Sequence, residues 1–220
     1  MLQSLVALGV ITVAWIAVGF SLCFGESIGG VIGNPLTFFM YQGVGMQTHP
    51  DFSPTIPFAL FSLFQLKFAI ITPALVSGAF AERVKFSSYM VFMVLFSLFI
   101  YAPLAHMTWH PEGILRNWGV LDFAGGTVVH ISAGMAALAG SIYLGPRKEI
   151  SHDAANIPFV ILGTGLLWFG WFGFNAGSSL AANETAVLAF LNTNTASAVA
   201  MLTWMFFDRL RGRKSSALGA

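Results

Sequence analysis

FAGGTVVHISAGMAALAGSIYL, Phe123–Leu144, runs without an Asp, Glu, Lys or Arg and holds a single histidine, His130, with Asp122 immediately before it. A hydrocarbon core of roughly 30 Å is crossed by about 20 helical residues, whereas a membrane strand needs only about 9–11. Lipid gives backbone polar groups no water to bond, and a helix satisfies them within its own segment. The stretch is therefore read as a transmembrane helix.

Five further runs are as long and as apolar: Leu2–Phe24, Ile56–Phe80, Phe86–Met107, Ile157–Gly177 and Thr185–Phe207, interrupted by ionisable groups only at Lys67 and at His106, at the edge of its span. The first is too long for the core of a signal peptide and has no basic residue before it, so it counts as a span. Over 220 residues the composition is 56% hydrophobic and 9% charged. A soluble domain carries roughly 25% charged residues, and so few charges could not cover a surface in water. The expected class is all-α: a polytopic membrane helix bundle of about six transmembrane helices, with no soluble domain. Cys23 is the only cysteine, which excludes an intramolecular disulfide.

Basic residues set the orientation. Numbering the connections alternately, Arg83, Lys85, Arg147, Lys148, Arg209, Arg211, Arg213 and Lys214 fall on one side. Only Arg116 lies in a connection on the other, and Lys67 lies within a span. The positive-inside rule makes the first side cytoplasmic, together with the amino end of this chain. The longest connection, 25–55, then lies outside, and its glycines and prolines suggest a structured loop or short re-entrant turn. Tight cytoplasmic turns are expected at AERVKF (81–86) and GPRKEISHDAAN (145–156). The net charge of +1 is spread over short clusters and gives no reason to expect nucleic acid.

Within the fourth span Gly126, His130 and Gly134 recur every four residues and so share one helical stripe. The glycines either admit a neighbouring helix or leave a narrow channel beside the imidazole. A purely structural histidine would instead bond a backbone carbonyl. Ionisable groups inside a membrane are functional candidates by default. Asp122, at the first turn, is placed to accept backbone N–H bonds and complement the helix dipole.

Phe64 and Phe68 share a face of the second span. Trp171, Phe174 and Ser178 share a face of the fifth through a three-then-four spacing. Trp109 sits at the outer end of the third span, where an interfacial belt residue is ordinary. Such stripes usually serve packing, but aromatic faces attract cations by roughly 0.5–2 kcal/mol. Lys67 stands about 100° round the helix from Phe68 and is expected to snorkel toward the outer surface. Asn183–Glu184–Thr185 fits an N-glycosylation pattern. The glycines of GGVIGN and GTGLLWFG lack a strand–helix setting for a nucleotide, and FNAGS is no nucleophile elbow. With no nucleophile–base or metal-ligand set, neither an enzyme nor a metal or cofactor site is expected.

LDFAGGTVVHISAG (121–134), GWFGFNAGS (170–178), AFAERVKF (79–86) and APLAHMTW (102–109) closely resemble the ammonium transporter (Amt) branch of the Amt/Rh family, in the right order over nearly the whole chain. The resemblance implies an eleven-helix channel-like fold, assembled as a homotrimer with one pore per subunit, whose first ten helices form two inverted repeats. Residues 1–220 then look like the second to seventh helices, an incomplete ammonium transporter domain.

By the same resemblance Phe64, Trp109 and Ser178 match the outer site that recruits ammonium, and Phe68 and Phe174 match the paired gate. His130 matches the first of two pore histidines, and Trp171 a pore-lining tryptophan. Asp122 matches the acidic residue that acts through structure and field. The second histidine belongs to a helix outside these residues. Lys67 stands where several relatives have a small or apolar side chain. The implied function is ammonium transport for nitrogen uptake at the cell membrane: the ion is recruited, deprotonated and passed as ammonia. A PII-type signalling protein on the cytoplasmic face is an expected partner. The alternatives are the membrane part of an ammonium sensor and an Rh-like gas channel.

Overall fold

The computed structural model describes residues 2–148 and 156–216. It has six helices long and apolar enough to cross a membrane: α1 Leu2–Phe24, α2 Phe58–Phe80, α3 Phe86–Asn117, α4 Gly126–Leu144, α5 Ile157–Ser179 and α6 Glu184–Leu210. The chain divides into two compact units, Met1–Pro146 and Arg147–Ala220.

Their ends depart from the hydropathy pattern for local reasons. Ile56 precedes Pro57, and a residue before proline is biased toward extended backbone. Ile56 and Pro57 accordingly close strand β4, and α2 begins at Phe58. The third run continues helically to Trp109 and breaks at His110, again before a proline, before a short turn at Ile114–Asn117 completes α3. α4 begins at Gly126 because residues 122–125 form its cap. Asn183 caps α6, accepting from the Ala186 N–H at 3.0 Å and from the Ser179 hydroxyl, which accounts for this asparagine without a glycan. Of the turn expected over 145–156, residues 149–155 lie outside the described residues.

Three spans of the first unit carry a π turn: Trp15–Gly19 in α1, Ser97–Tyr101 in α3 and Gly126–Ile131 in α4. Such turns are rare and gather at functional sites. Trp15 and Tyr101 are fully buried, and the Trp15 N–H donates to Ser62 on α2 at 3.2 Å. α4 lies so close to α2 that a Cβ on Gly140 would meet Phe80 at 2.2 Å. At the same end the Arg83 guanidinium donates to the carbonyls of Gly145 and Ala79, tying the two helix termini together.

The connection between α1 and α2 is a structured loop. It holds two small antiparallel hairpins, β1 Ser27–Ile28 with β2 Ile32–Gly33, and β3 Thr48–His49 with β4 Ser53–Pro57, the second bulged. Beneath it Phe20, Phe24, Phe52, Phe58 and Phe61 pack into one buried aromatic cluster. A buried relay holds the loop to the helices. The carbonyl of Cys23 can only accept, so His106 Nδ1 carries the proton that bonds it at 2.9 Å, and His106 Nε2 accepts from the Ser27 hydroxyl at 2.8 Å. Ser27 Oγ in turn accepts from the Gly30 N–H at 3.2 Å.

In the second unit α5 is capped by Asn156, whose side chain accepts from the Phe159 N–H at 3.1 Å. α5 and α6 are joined by a stack of Phe172 on Phe190 at 4.1 Å and by a bond from Asn175 Nδ2 to Thr193 Oγ1 at 2.8 Å. Thr193 is the one buried residue among the described residues of these two helices.

Candidate functional site

In the first unit the site is built on the start of α4. The Asp122 carboxylate accepts four backbone N–H bonds: Oδ1 from Gly125 and Gly126 at 2.5 and 3.0 Å, Oδ2 from Thr127 and Val128 at 2.8 and 3.0 Å. These are the donors a helix start leaves without intrahelical partners, and a negative charge there complements the dipole. The turn needs Gly125, whose φ is +91° and whose added Cβ would meet Val129 at 2.7 Å and Phe68 at 3.4 Å. The cap of α4 is thereby brought against the ring of Phe68.

Around that ring the first unit gathers Phe64 and Trp109. Phe64 and Phe68 meet edge-to-face at 4.9 Å, and Phe68 and Trp109 edge-to-face at 5.7 Å. Trp109 Nε1 donates to the main-chain carbonyl of Asp122 at 3.1 Å, and the Arg116 guanidinium bonds the Trp109 carbonyl at 2.9 Å. Phe68 is buried, while Phe64 and Trp109 keep part of their surface open. Trp109 is thus a fixed member of the cluster, not a loosely placed belt residue. Lys67, next to Phe68 in sequence, is exposed on the side of α2 that also shows Leu60 and Leu63.

His130 sits within the π turn of α4, its N–H bonded to the Gly125 carbonyl at 3.1 Å. Val128, Val129, Ser132 and Ala133 form the packed face of this helix. Gly126, His130 and Gly134 are all exposed, and beyond the helix's own neighbouring backbone nothing lies within 4 Å of a Cβ built on either glycine. The two glycines therefore leave open space above and below the imidazole.

In the second unit Trp171 and Phe174 stack at 4.9 Å with an interplanar angle of 25°. The Ser178 hydroxyl donates to the Phe174 carbonyl at 2.8 Å, which leaves its lone pairs available to a further donor. Trp171 also borders a cavity of about 660 Å³ between α5 and α6, with Trp168, Asn175, Thr193 and Ser197.

Hydropathy reading passed over several residues that the structure puts to use. Asn175 and Thr193 were hidden in apolar runs, although a polar amide inside a span is itself a signal. His106 stood out only as an interruption at a span edge, and its partners lie 79 and 83 residues away.

The family model described as the Ammonium Transporter Family matches residues 1–220. The chain belongs to the ammonium transporter family. An ammonium transporter of Aquifex aeolicus is 48% identical over 99% of this chain and 50% of its own length. One from Bacillus subtilis is 41% identical over 100% of this chain and 54% of its own. Among solved structures, Candida albicans Mep2 superposes with a TM-score of 0.88 at 38% identity, over 98% of this chain and 48% of that one. A protein described as a sensor Amt protein gives 0.85 at 34% identity, over 98% and 55%. The chain spans about half the length of the curated relatives it matches. As a member of this family it is a multi-pass membrane protein with the helical architecture of the ammonium transporters.

Proposed function

We propose that these residues form part of an ammonium transport path in the cell membrane, acting without chemical conversion of a substrate beyond proton transfer. The reading rests above all on the junction of Phe64, Phe68 and Trp109 with the capped start of the helix that carries His130. Removing the water of a cation in a low-dielectric passage costs on the order of tens of kcal/mol if nothing replaces it. The aromatic faces of Phe64 and Trp109 and the lone pairs of Ser178 offset enough of this to concentrate ammonium at the mouth. By the family resemblance Phe68 and Phe174 each belong to the gate, past which the ion gives up its proton to the imidazole of His130. Ammonia loses far less on desolvation and passes along His130 and Trp171.

Asp122 serves through structure and field, since its four N–H bonds occupy the carboxylate with the helix start. The amino end and the Arg83–Lys85 and Arg209–Lys214 clusters face the cytoplasm, and a PII-type signalling protein is the expected partner there. The chain corresponds to the second to seventh helices of an eleven-helix protein that assembles as a homotrimer. The test is His130→Ala in the gene product containing these residues, reconstituted in vesicles. Ammonium flux or discrimination against potassium should fall; unchanged currents and unchanged exclusion of potassium refute the assignment.

The likeness to a sensor Amt protein favours one other reading, the membrane part of an ammonium sensor. Ammonium would then alter the output of an attached signalling segment while net flux through the reconstituted protein stayed at background.

A further inference from the structure

The loop between α1 and α2 does not simply stand out in water. Its middle folds back against the helix pair. The ring of Phe38 lies 5.3 Å from Phe20 and 5.2 Å from Phe58, and the Phe38 N–H donates to the Ser21 hydroxyl at 2.8 Å. The Tyr41 hydroxyl accepts from Ser62 at 2.8 Å. Phe20 is four residues before the end of α1 and Ser62 four residues after the start of α2. Each partner therefore lies about 6 Å inside its helix end at 1.5 Å per residue. The segment carrying Phe38 and Tyr41 flanks the last turns of two membrane-spanning helices.

The large side chains this segment turns outward are apolar apart from Gln42. Leu36 is 70% exposed, Phe39 43%, Met40 58% and Met46 77%. No Asp, Glu, Lys or Arg occurs between Glu26 and Asp51. The N–H groups of Leu36, Thr37, Phe38, Tyr41, Gln42 and Val44 bond within the protein, which lowers the cost of bringing this turn out of bulk water to the membrane interface. Met40 and Tyr41 adopt φ of 53° and 61°, conformations that cost strain in a non-glycine residue and persist only where the surroundings impose them. The turn so made sends Tyr41 inward as an anchor and leaves Phe39 and Met40 facing out.

The structure assigns Leu36–Met46 as an interfacial knuckle, inserted into the leaflet on the side where α1 ends and α2 begins. Lipid is the occupant that fits. The anchors Phe38 and Tyr41 hold the patch against the end of α1 and the start of α2, whose own outward surface is apolar at Leu60 and Leu63. Four side chains fall well short of the roughly 800 Å² per partner that a stable protein interface buries. Acyl chains set no such threshold. The inference needs only the membrane location and is independent of what the protein transports.

Single-cysteine variants Leu36→Cys, Phe39→Cys and Met40→Cys, in a Cys23→Ala background of the full chain, would be spin-labelled and reconstituted in phosphatidylcholine vesicles. Ile28→Cys, on the exposed hairpin β1, is the reference. Collision with oxygen, which partitions into hydrocarbon, should exceed collision with a water-soluble nickel chelate several-fold at 36, 39 and 40, with the order reversed at 28. Should positions 36, 39 and 40 be as open to the chelate as position 28, the knuckle lies in water and the assignment is wrong. Shielding from both reagents together with spin–spin broadening would place a second copy on the patch and also overturn it. Met46→Cys gives a further independent position if one of the three variants does not fold.

Discussion

Trp109 and Asp122, on opposite sides of the turn between α3 and α4, are joined by a hydrogen bond from the indole N–H to the main-chain carbonyl at 3.1 Å. The carboxylate of the same aspartate grips the first N–H groups of α4, and the indole edge meets Phe68. One residue thus fixes both the aromatic cluster and the start of the histidine-bearing helix.

Replacing Trp109 separates these two contributions. Trp109→Phe keeps an aromatic face but leaves the Asp122 carbonyl without its donor, a loss of about 1 kcal/mol that thermal unfolding in detergent would read. Trp109→Ala also removes the aromatic face proposed to attract the cation, worth roughly 0.5–2 kcal/mol, so under that proposal the half-saturating ammonium concentration for uptake should rise about 2- to 30-fold.

Asp122→Ala strands four N–H groups at once. Losing a cap costs about 1 kcal/mol and each buried unsatisfied donor about 1–3, so destabilisation of about 2 kcal/mol or more is expected. Asp122→Asn keeps an acceptor for one pair of donors while its amide group opposes the other pair, and should fall between. Hydrogen exchange at Gly125, Gly126, Thr127 and Val128 reads this directly: protection should drop in the order wild type, asparagine, alanine.

His106→Ala removes the centre of the Cys23–His106–Ser27 relay, leaving the buried Cys23 carbonyl without its donor and the half-buried Ser27 hydroxyl with only the Gly30 N–H. About 2–4 kcal/mol of lost stability is expected from the lost hydrogen bonds and the cavity. The hairpin at Ser27–Gly33 should then become the first site of protease cleavage. A cleavage pattern and melting curve like those of the wild type would show that the relay contributes nothing to the loop.

Between α5 and α6, Asn175→Leu and Thr193→Val each break the side-chain hydrogen bond that joins the two helices. Interhelical bonds in membranes average about 0.6 kcal/mol and reach about 1.7. A double-mutant cycle should return a coupling in that range, with the stack of Trp171 on Phe174 loosened in both single variants. Purely additive effects would show that the Phe172–Phe190 stack alone holds the pair.

Much of this was legible in the residues, unevenly. The capping role of Asp122 followed from its place at the edge of an apolar run, and the shared stripe of Gly126, His130 and Gly134 from a spacing of four. Ile56 and Phe123 were placed in helices they do not enter, because hydropathy ignores both the preference imposed by a following proline and the turn made by Gly125. Trp109 could be placed at a helix end, but nothing in its neighbours announced a bond to a carbonyl thirteen residues on.

The amino-acid order by itself determined the helical class and the positions of the six spans. In hydrocarbon each segment must satisfy its own backbone, so length and hydropathy settle a local question. Only the tertiary structure decided which polar side chains find one another: His106 with Ser27 and Cys23, Tyr41 with Ser62, Asn175 with Thr193. Those pairings depend on how closely helices approach and which faces they present, and a buried donor takes whatever acceptor that packing brings within about 3 Å. No local pattern along the chain carries that information.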